Sequence, residues 1–242
     1  MASKKTLAIV LGAGPGTGQA IGAAFSKVHD AVALLARRKE TLNEVRDAIV
    51  SQGGNAEGFS CDATDLGSVE SAFDAIKSKW PDHVVKCAIF NANNPFIMKP
   101  FLELTAKDLA PGLDLNVYGA FSFAQKVLPL LLEAGGGTLL FSGATAAIKG
   151  SAQFAAFAPA KFALRGLSQN LAREFGPQGV HVAHIILDGL IDTPAIRQRR
   201  GEGEPGKRMT PESIADAYVY LASQDRSAWT QELDLRPSSE NW

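Results

Sequence analysis

The sequence has little of what would commit it to an unusual environment or a highly charged partner. Only two of its 242 residues are cysteine, too few for a disulfide framework. Cys61 and Cys87 each lie near the end of an apolar run and read as buried free thiols. Neither sign of charge dominates, with 24 basic against 25 acidic residues and a net charge of −1. Nucleic acid and anionic membrane surfaces both select a basic face, so neither is expected as a partner. No apolar run approaches transmembrane length, and the apolar part of Met-Ala-Ser-Lys-Lys-Thr-Leu-Ala-Ile-Val is too short for a signal peptide. A cytoplasmic location is expected. There is no internal repeat, no low-complexity tail and no expected metal site.

What is present is the patterning of a globular α/β chain. Hydrophobic residues make up 46% and charged residues 20%, enough for a substantial core. Short apolar runs alternate with longer amphipathic ones. Strands are expected at Leu7–Leu11, Ala31–Ala36, Ala56–Ser60, Val84–Phe90, Thr138–Ser142, Val180–Leu187 and Glu232–Leu235. Several are apolar throughout, as strands covered on both faces are. Helices are expected near Gly16–His29, Lys39–Gln52, Leu66–Lys79, Ala106–Glu133, Phe157–Phe175 and Pro211–Ser223. Right-handed crossovers then give a Rossmann-like doubly wound parallel sheet of about seven strands with helices on both faces, one domain over 1–242. Residues 194–210 break the rhythm: Gly201, Gly203, Pro205 and Gly206 among many charges predict a mobile lid over the substrate site.

The first strand runs into Gly12-Ala-Gly14-Pro-Gly16-Thr17-Gly18 and then a helix. Glycines at that junction let backbone approach a pyrophosphate, and the helix N-terminus supplies N–H donors. The spacing Gly12-x-x-x-Gly16-x-Gly18 resembles the short-chain dehydrogenase/reductase family. At the end of the second strand an NAD enzyme would carry an acid, to bind the ribose 2′-hydroxyl. Here Ala36 stands, followed by Arg37 and Arg38, which points to the 2′-phosphate of NADP(H). The other reading is a solvated basic turn balanced by Glu40 and Glu44. Pro15 departs from the family, whose NADP-preferring members often have a basic residue there.

The resemblance extends over roughly residues 6–195. Cys61-Asp62 is similar to the family's acidic motif after the third strand. That implies Asp62 faces the adenine; a helix N-terminal role is equally open. Phe90-Asn91-Ala92-Asn93 stands where the family has Asn-Asn-Ala-Gly, which implies that Asn91 ties the central strands. Asn116, in Asp-Leu-Asn116-Val-Tyr118, matches the active-site asparagine. Asp188-Gly189-Leu-Ile191-Asp-Thr193 resembles the Pro-Gly-x-x-x-Thr turn. It implies that the Ile191 backbone and Thr193 hold the nicotinamide carboxamide.

The catalytic set that the resemblance implies is incomplete. Lys161 is kept, but Phe157 stands at the tyrosine position and Ala144 at the serine position. Hydride addition builds negative charge on oxygen, which needs a proton or a donor. Phenylalanine and alanine side chains supply neither. Ser142 keeps the face of the missing serine, two residues along the strand, or is a hydroxyl satisfied by backbone. Asp188 is a candidate acid or a loop residue; Tyr118, His181 and His184 rank lower. Two functions remain open: an NADP(H)-dependent oxidoreductase of a small-molecule substrate with a non-standard proton donor, or a silent NADP(H)-binding protein with a regulatory or structural task. The family also implies a homodimer or homotetramer.

Overall fold

The computed structural model describes residues 4–94 and 96–239. The first three and last three residues of the expected single domain therefore lie outside the described part. All seven expected strands form: β1 Lys5–Leu11, β2 Ala31–Ala36, β3 Ala56–Ser60, β4 His83–Phe90, β5 Gly137–Ser142, β6 Val180–Leu187 and β7 Glu232–Leu235. They make one sheet in the order β3-β2-β1-β4-β5-β6-β7, parallel at every pairing. The chain starts mid-sheet, winds out to β3, then returns past β1 to build the other half. The order reverses between β1 and β4, and the carboxyl ends of those strands diverge into a crevice.

The helices are α1 Thr17–Phe25, α2 Lys39–Val50, α3 Leu66–Lys79, α4 Ala106–Leu113, α5 Ala120–Glu133, α6 Ala158–Phe175, α7 Pro194–Arg200 and α8 Pro211–Ser223. Local chemistry sets several of their starts. Asp65 accepts from Gly67 and Ser68 N–H groups at the head of α3, and Thr105 and Asp108 form a reciprocal capping box on α4. Thr210 caps α8, with Pro211 in its first turn. The apolar faces pack as two layers. On one side Ile9, Leu11, Phe90 and Phe141 meet Phe123, Leu131 and Leu164 from α5 and α6. On the other, Val10, Leu34 and Ile89 meet Ile21, Phe25 and Tyr218 from α1 and α8. Cys61 and Cys87 are both free and buried, and burial pushes both thiols up, Cys61 to about 11.

Two expectations need correction. Ala106–Glu133 is a continuous 28-residue helical stretch, long and apolar enough to cross a membrane by length and composition. Its apolar side is nevertheless spent on the sheet, through Phe123, Ala124, Val127 and Leu131. Within the lid, Pro194–Arg200 is a helix, which the glycines and charges downstream concealed. Thr193 caps it by accepting from Ile196 N–H at 3.3 Å. Asp192 binds Arg197 at 2.8 Å and Arg208 at 3.1 Å. Both arginines are thus paired within the segment.

No residue of α7 is buried, so its order depends on few apolar contacts. We expect amide hydrogen exchange to be fast over 194–210 and slow over Val180–Leu187, every residue of which is buried. Strong protection of the lid in the free protein would contradict that.

Candidate active site

At the β1–α1 junction the glycines are dictated by space. Gly12 has φ +93°, and a Cβ there would sit 2.5 Å from the backbone of Asn91 and Ala92. A Cβ on Gly18 would collide with the Gly12 carbonyl. Gly14, by contrast, faces open space. The loop is therefore pressed against the end of β4 and leaves its outer side bare, with α1 starting at Thr17 behind it. Asn91 fixes the arrangement: its Nδ2 donates to the Gly12 carbonyl at 3.1 Å, and its backbone N–H donates to Leu11 O at 2.7 Å.

Two adjoining clefts run along this edge. The larger, about 740 Å³, is lined by Arg37, Arg38, Asp62 and Ala63 with the glycine loop. The smaller, about 340 Å³, is lined by Ser142, Ala144, Lys161, Gly189, Ile191 and Thr193. Both include Gly12, Gly14, Pro15 and Asn91 through Asn93. Together they form one groove across the strand ends, long enough in chemical variety to receive a nucleoside at one end and a second ring at the other.

At the first end, Arg37 and Arg38 are exposed, and Arg38 opens α2 without a side-chain cap. Cations there oppose the helix dipole, which a bound phosphate would reverse. Asp62 Oδ1 accepts from the Thr64 N–H at 3.0 Å and the Thr64 hydroxyl at 2.8 Å. These bonds, the backbone one foremost, hold its carboxyl below the usual range. The helix cap of α3 is Asp65, so Asp62 belongs to the turn before it while still lining the groove.

At the second end the groove is lined by Ser142, Ala144, Lys161, Gly189, Ile191 and Thr193, whereas Asp188, His181 and Tyr118 do not line it. Ser142 donates to Asn91 Oδ1 at 2.8 Å and shares a 2.8 Å bond with the Tyr218 hydroxyl. It is committed to holding Asn91. Asp188 accepts from Thr145 Oγ1 and pairs with Arg236 at 2.8 Å, so it braces the strand end against the C-terminal segment. His181 stacks on Trp229 at 5.0 Å and bonds Thr230 O at 2.8 Å. Tyr118 is exposed.

Asn116 is fully buried in a π-helical turn, Asp114–Gly119, between α4 and α5. The extra residue in that turn is the kind of irregularity that marks functional helices. Its Nδ2 donates to Asn94 Oδ1 at 2.9 Å and Gly112 O at 3.1 Å, while its Oδ1 is buried without a partner.

Lys161 lies on α6, one turn after Phe157, and is 2% exposed. Among the described residues its ammonium has no hydrogen-bond acceptor or carboxylate partner; it lies over the Phe157 ring, 5.8 Å from the centroid. Burial lowers its pKa to about 8. Phe157 is 7% exposed and packs with Ala144, Ala146 and Phe154. Phe96 adds a third ring, 5.2 Å from Phe157 and 5.1 Å from Phe154, edge-on to both. Sequence reasoning missed Phe96, whose position on the long β4–α4 connection gives no periodic signal.

A bare glycine loop and a buried cation that, among the described residues, lacks an acceptor are what a nicotinamide dinucleotide would complete. The residues fit such a group: the glycine loop would face its pyrophosphate and Lys161 would reach the inner end of the groove.

A family profile described as enoyl-(acyl carrier protein) reductase matches residues 12–233. D-threitol dehydrogenase of Mycolicibacterium smegmatis is 30% identical over 237 residues, 95% of this chain and 90% of that protein. A short-chain dehydrogenase from Rhodopseudomonas palustris superposes with a TM-score of 0.80 at 32% identity, covering 96% and 98% of the two chains. A 7α-hydroxysteroid dehydrogenase solved with NADH and 7-oxo glycochenodeoxycholic acid does so with a TM-score of 0.84 at 28% identity, covering 97% and 93%.

Proposed function

The chain belongs to the short-chain dehydrogenase/reductase family of oxidoreductases, and we propose that within it the protein is an NADP(H)-dependent reductase of a small molecule whose proton does not come from a tyrosine. In this reading Phe157 replaces the family's tyrosine and Ala144 its serine. One observation carries it: the dinucleotide groove is complete down to the buried, partnerless Lys161, while the ring beside that lysine has no hydroxyl. The bound dinucleotide would supply a hydride. Lys161 would hold the nicotinamide ribose, Thr193 and the Ile191 backbone the carboxamide, and Gly12 through Gly18 the pyrophosphate. Phe96, Phe154 and Phe157 form an apolar wall that excludes water and receives the acceptor.

The acceptor classes to test are carbonyls, enones and imines. NADPH oxidation with any of them, alongside an independent measurement of cofactor binding, is the expected result. Binding without turnover across all three would favour the second reading, a silent dinucleotide-binding protein. The apolar packing of Phe157 among Ala144, Ala146, Phe154 and Phe96 is the observation on that side. The exposed Phe121 and Phe162 on α5 and α6 would serve a homodimer or homotetramer, and we place the protein in the cytoplasm.

Cofactor choice follows from Arg37 and Arg38. NADPH is expected to bind at least about tenfold more tightly than NADH, a charge-assisted phosphate contact worth over about 1.4 kcal/mol. Arg37→Ala should remove most of that preference. Equal affinities in a titration of the natural protein would overturn the assignment.

A further inference from the structure

We propose that the ammonium of Lys161 is itself the proton donor of this reductase. The inference rests on reading the chain as a working enzyme and adds the identity of its acid. It comes first from what lines the inner end of the groove. Lys161 is the single ionisable side chain there. Three hydroxyls share that end. Ser142 is bound to Asn91 and Tyr218, Thr193 caps α7, and Thr17 sits in the first turn of α1.

The ionisable groups farther back are unsuited. Asp188 uses one oxygen on Thr145 and the other on Arg236. Tyr218 is fully buried behind Ser142, and burial pushes its phenol well up. His184 is fully buried on β6, and burial pulls it down to about 4, so it carries no spare proton at neutral pH. Glu232 on β7 is forked onto Arg165 of α6 at 2.6 and 2.8 Å. The groups facing Lys161 from behind are thus a neutral imidazole and a neutralised ion pair. Asp62, at the other end of the groove, is held below the usual carboxylate range by the Thr64 N–H.

Geometry and acidity then agree. The ammonium is 5.8 Å from the centre of the ring at position 157, so a substrate atom, or one bridging water, can lie between them. A cation at about 8 is mostly charged at neutral pH and still acidic enough to give its proton up, the condition for an efficient general acid.

The step balances. As hydride adds to the carbon of a polarised double bond, the π pair moves to the oxygen or nitrogen. An N–H bond of Lys161 breaks and an O–H or N–H bond forms on the product. The hydride would come from the bound dinucleotide, and the neutral amine takes a proton back from solvent.

The test uses the full chain with NADP(H). With Lys side chains isotopically labelled and NADP⁺ bound, the Lys161 signal should titrate near 8 by NMR; a midpoint above 10, that of an ordinary lysine, would overturn the proposal. On an acceptor that the natural protein reduces, kcat should fall as pH rises through the same midpoint. Lys161→Arg keeps the charge and the ribose donors but cannot release a proton. It should lose about 100-fold or more in kcat, with NADPH affinity changed less than tenfold. Adding Phe157→Tyr to Lys161→Arg should recover part of that loss, because a phenol then carries the proton. If Lys161→Arg is as active as the natural protein, the donor is another group and the reductase reading stands. If the natural protein reduces nothing in the panel, the reductase reading itself fails and this assignment with it.

Discussion

Changing Phe157 to tyrosine and Ala144 to serine together is expected to raise NADPH-dependent reduction of simple ketones, by less than the ~10²–10⁴-fold that a general acid brings to a site with none, because Lys161 already carries a proton there. The ring at 157 is already seated, edge-on to Phe96 and one turn before Lys161. The substitution therefore adds a single oxygen without moving the scaffold. Lys161 would favour the ionised phenol and so lower its pKa, and the new donor would stand nearer the acceptor than the lysine does. Ala144 is extended, φ −158° and ψ 170°, a conformation serine adopts freely, and its hydroxyl would be a second donor for the developing oxyanion. Cofactor affinity should stay nearly unchanged, since neither position lines the adenosine end. Lys161→Ala in the doubly substituted protein is the control and should abolish the gain. A natural protein that already reduces ketones quickly, and is unmoved by the two changes, would show that the acid in place gains nothing from a phenol at position 157.

The second large effect is on stability in acid. His184 is enclosed between Gly143 and the Arg165–Glu232 pair. Its Nδ1 is 3.3 Å from Glu232 Oε2, yet neither ring nitrogen has a hydrogen bond. Burial outweighs the attraction of Glu232 and takes the imidazole from 6.5 to about 4. Below 6.5 the unfolded chain gains a proton that the native one refuses, so stability falls as pH drops toward 4 and the effect is complete below it. The full loss is roughly 3 kcal/mol, from a shift of about two and a half pH units. His29 and His181 are lowered by burial as well and add in the same direction. Urea unfolding at pH 7 and pH 4.5 should show the drop, and His184→Leu should shrink it by most of one histidine's share whatever that substitution costs at pH 7. An equal drop in both proteins would mean that His184 is charged in the native state.

The sheet was legible because its strands are apolar runs buried on both faces, a signal that tertiary contact only strengthens. Helices with amphipathic faces were equally plain. The helix Pro194–Arg200 was not, because nothing in it is buried and its cap and arginine pairs work through Thr193 and Asp192. Around the groove, spacing singled out Lys161, Phe157 and Asn116, but not what they touch. Whether Ser142 faces a substrate or the core depends on Tyr218, 76 residues away. Whether Asp188 is an acid or a brace depends on Arg236. The Phe96 ring over Phe157 comes from a long connection whose path no periodicity encodes. Local pattern reports the face a residue shows; its partner across the chain is a property of the fold.

The central place of β1 also governs how the chain assembles. β1 pairs with β2 and with β4, whose residues lie nearly eighty positions on. That pairing closes a long loop of three crossovers before its contacts repay the entropy, which makes folding slow compared with a helical bundle of similar size. The half from β1 to β4 holds the glycine loop, Arg37 and Asn91, whereas Lys161 arrives only with α6. During synthesis, then, the end of the groove beside Arg37 and Asp62 can take shape while the helix that bears Lys161 is still being made.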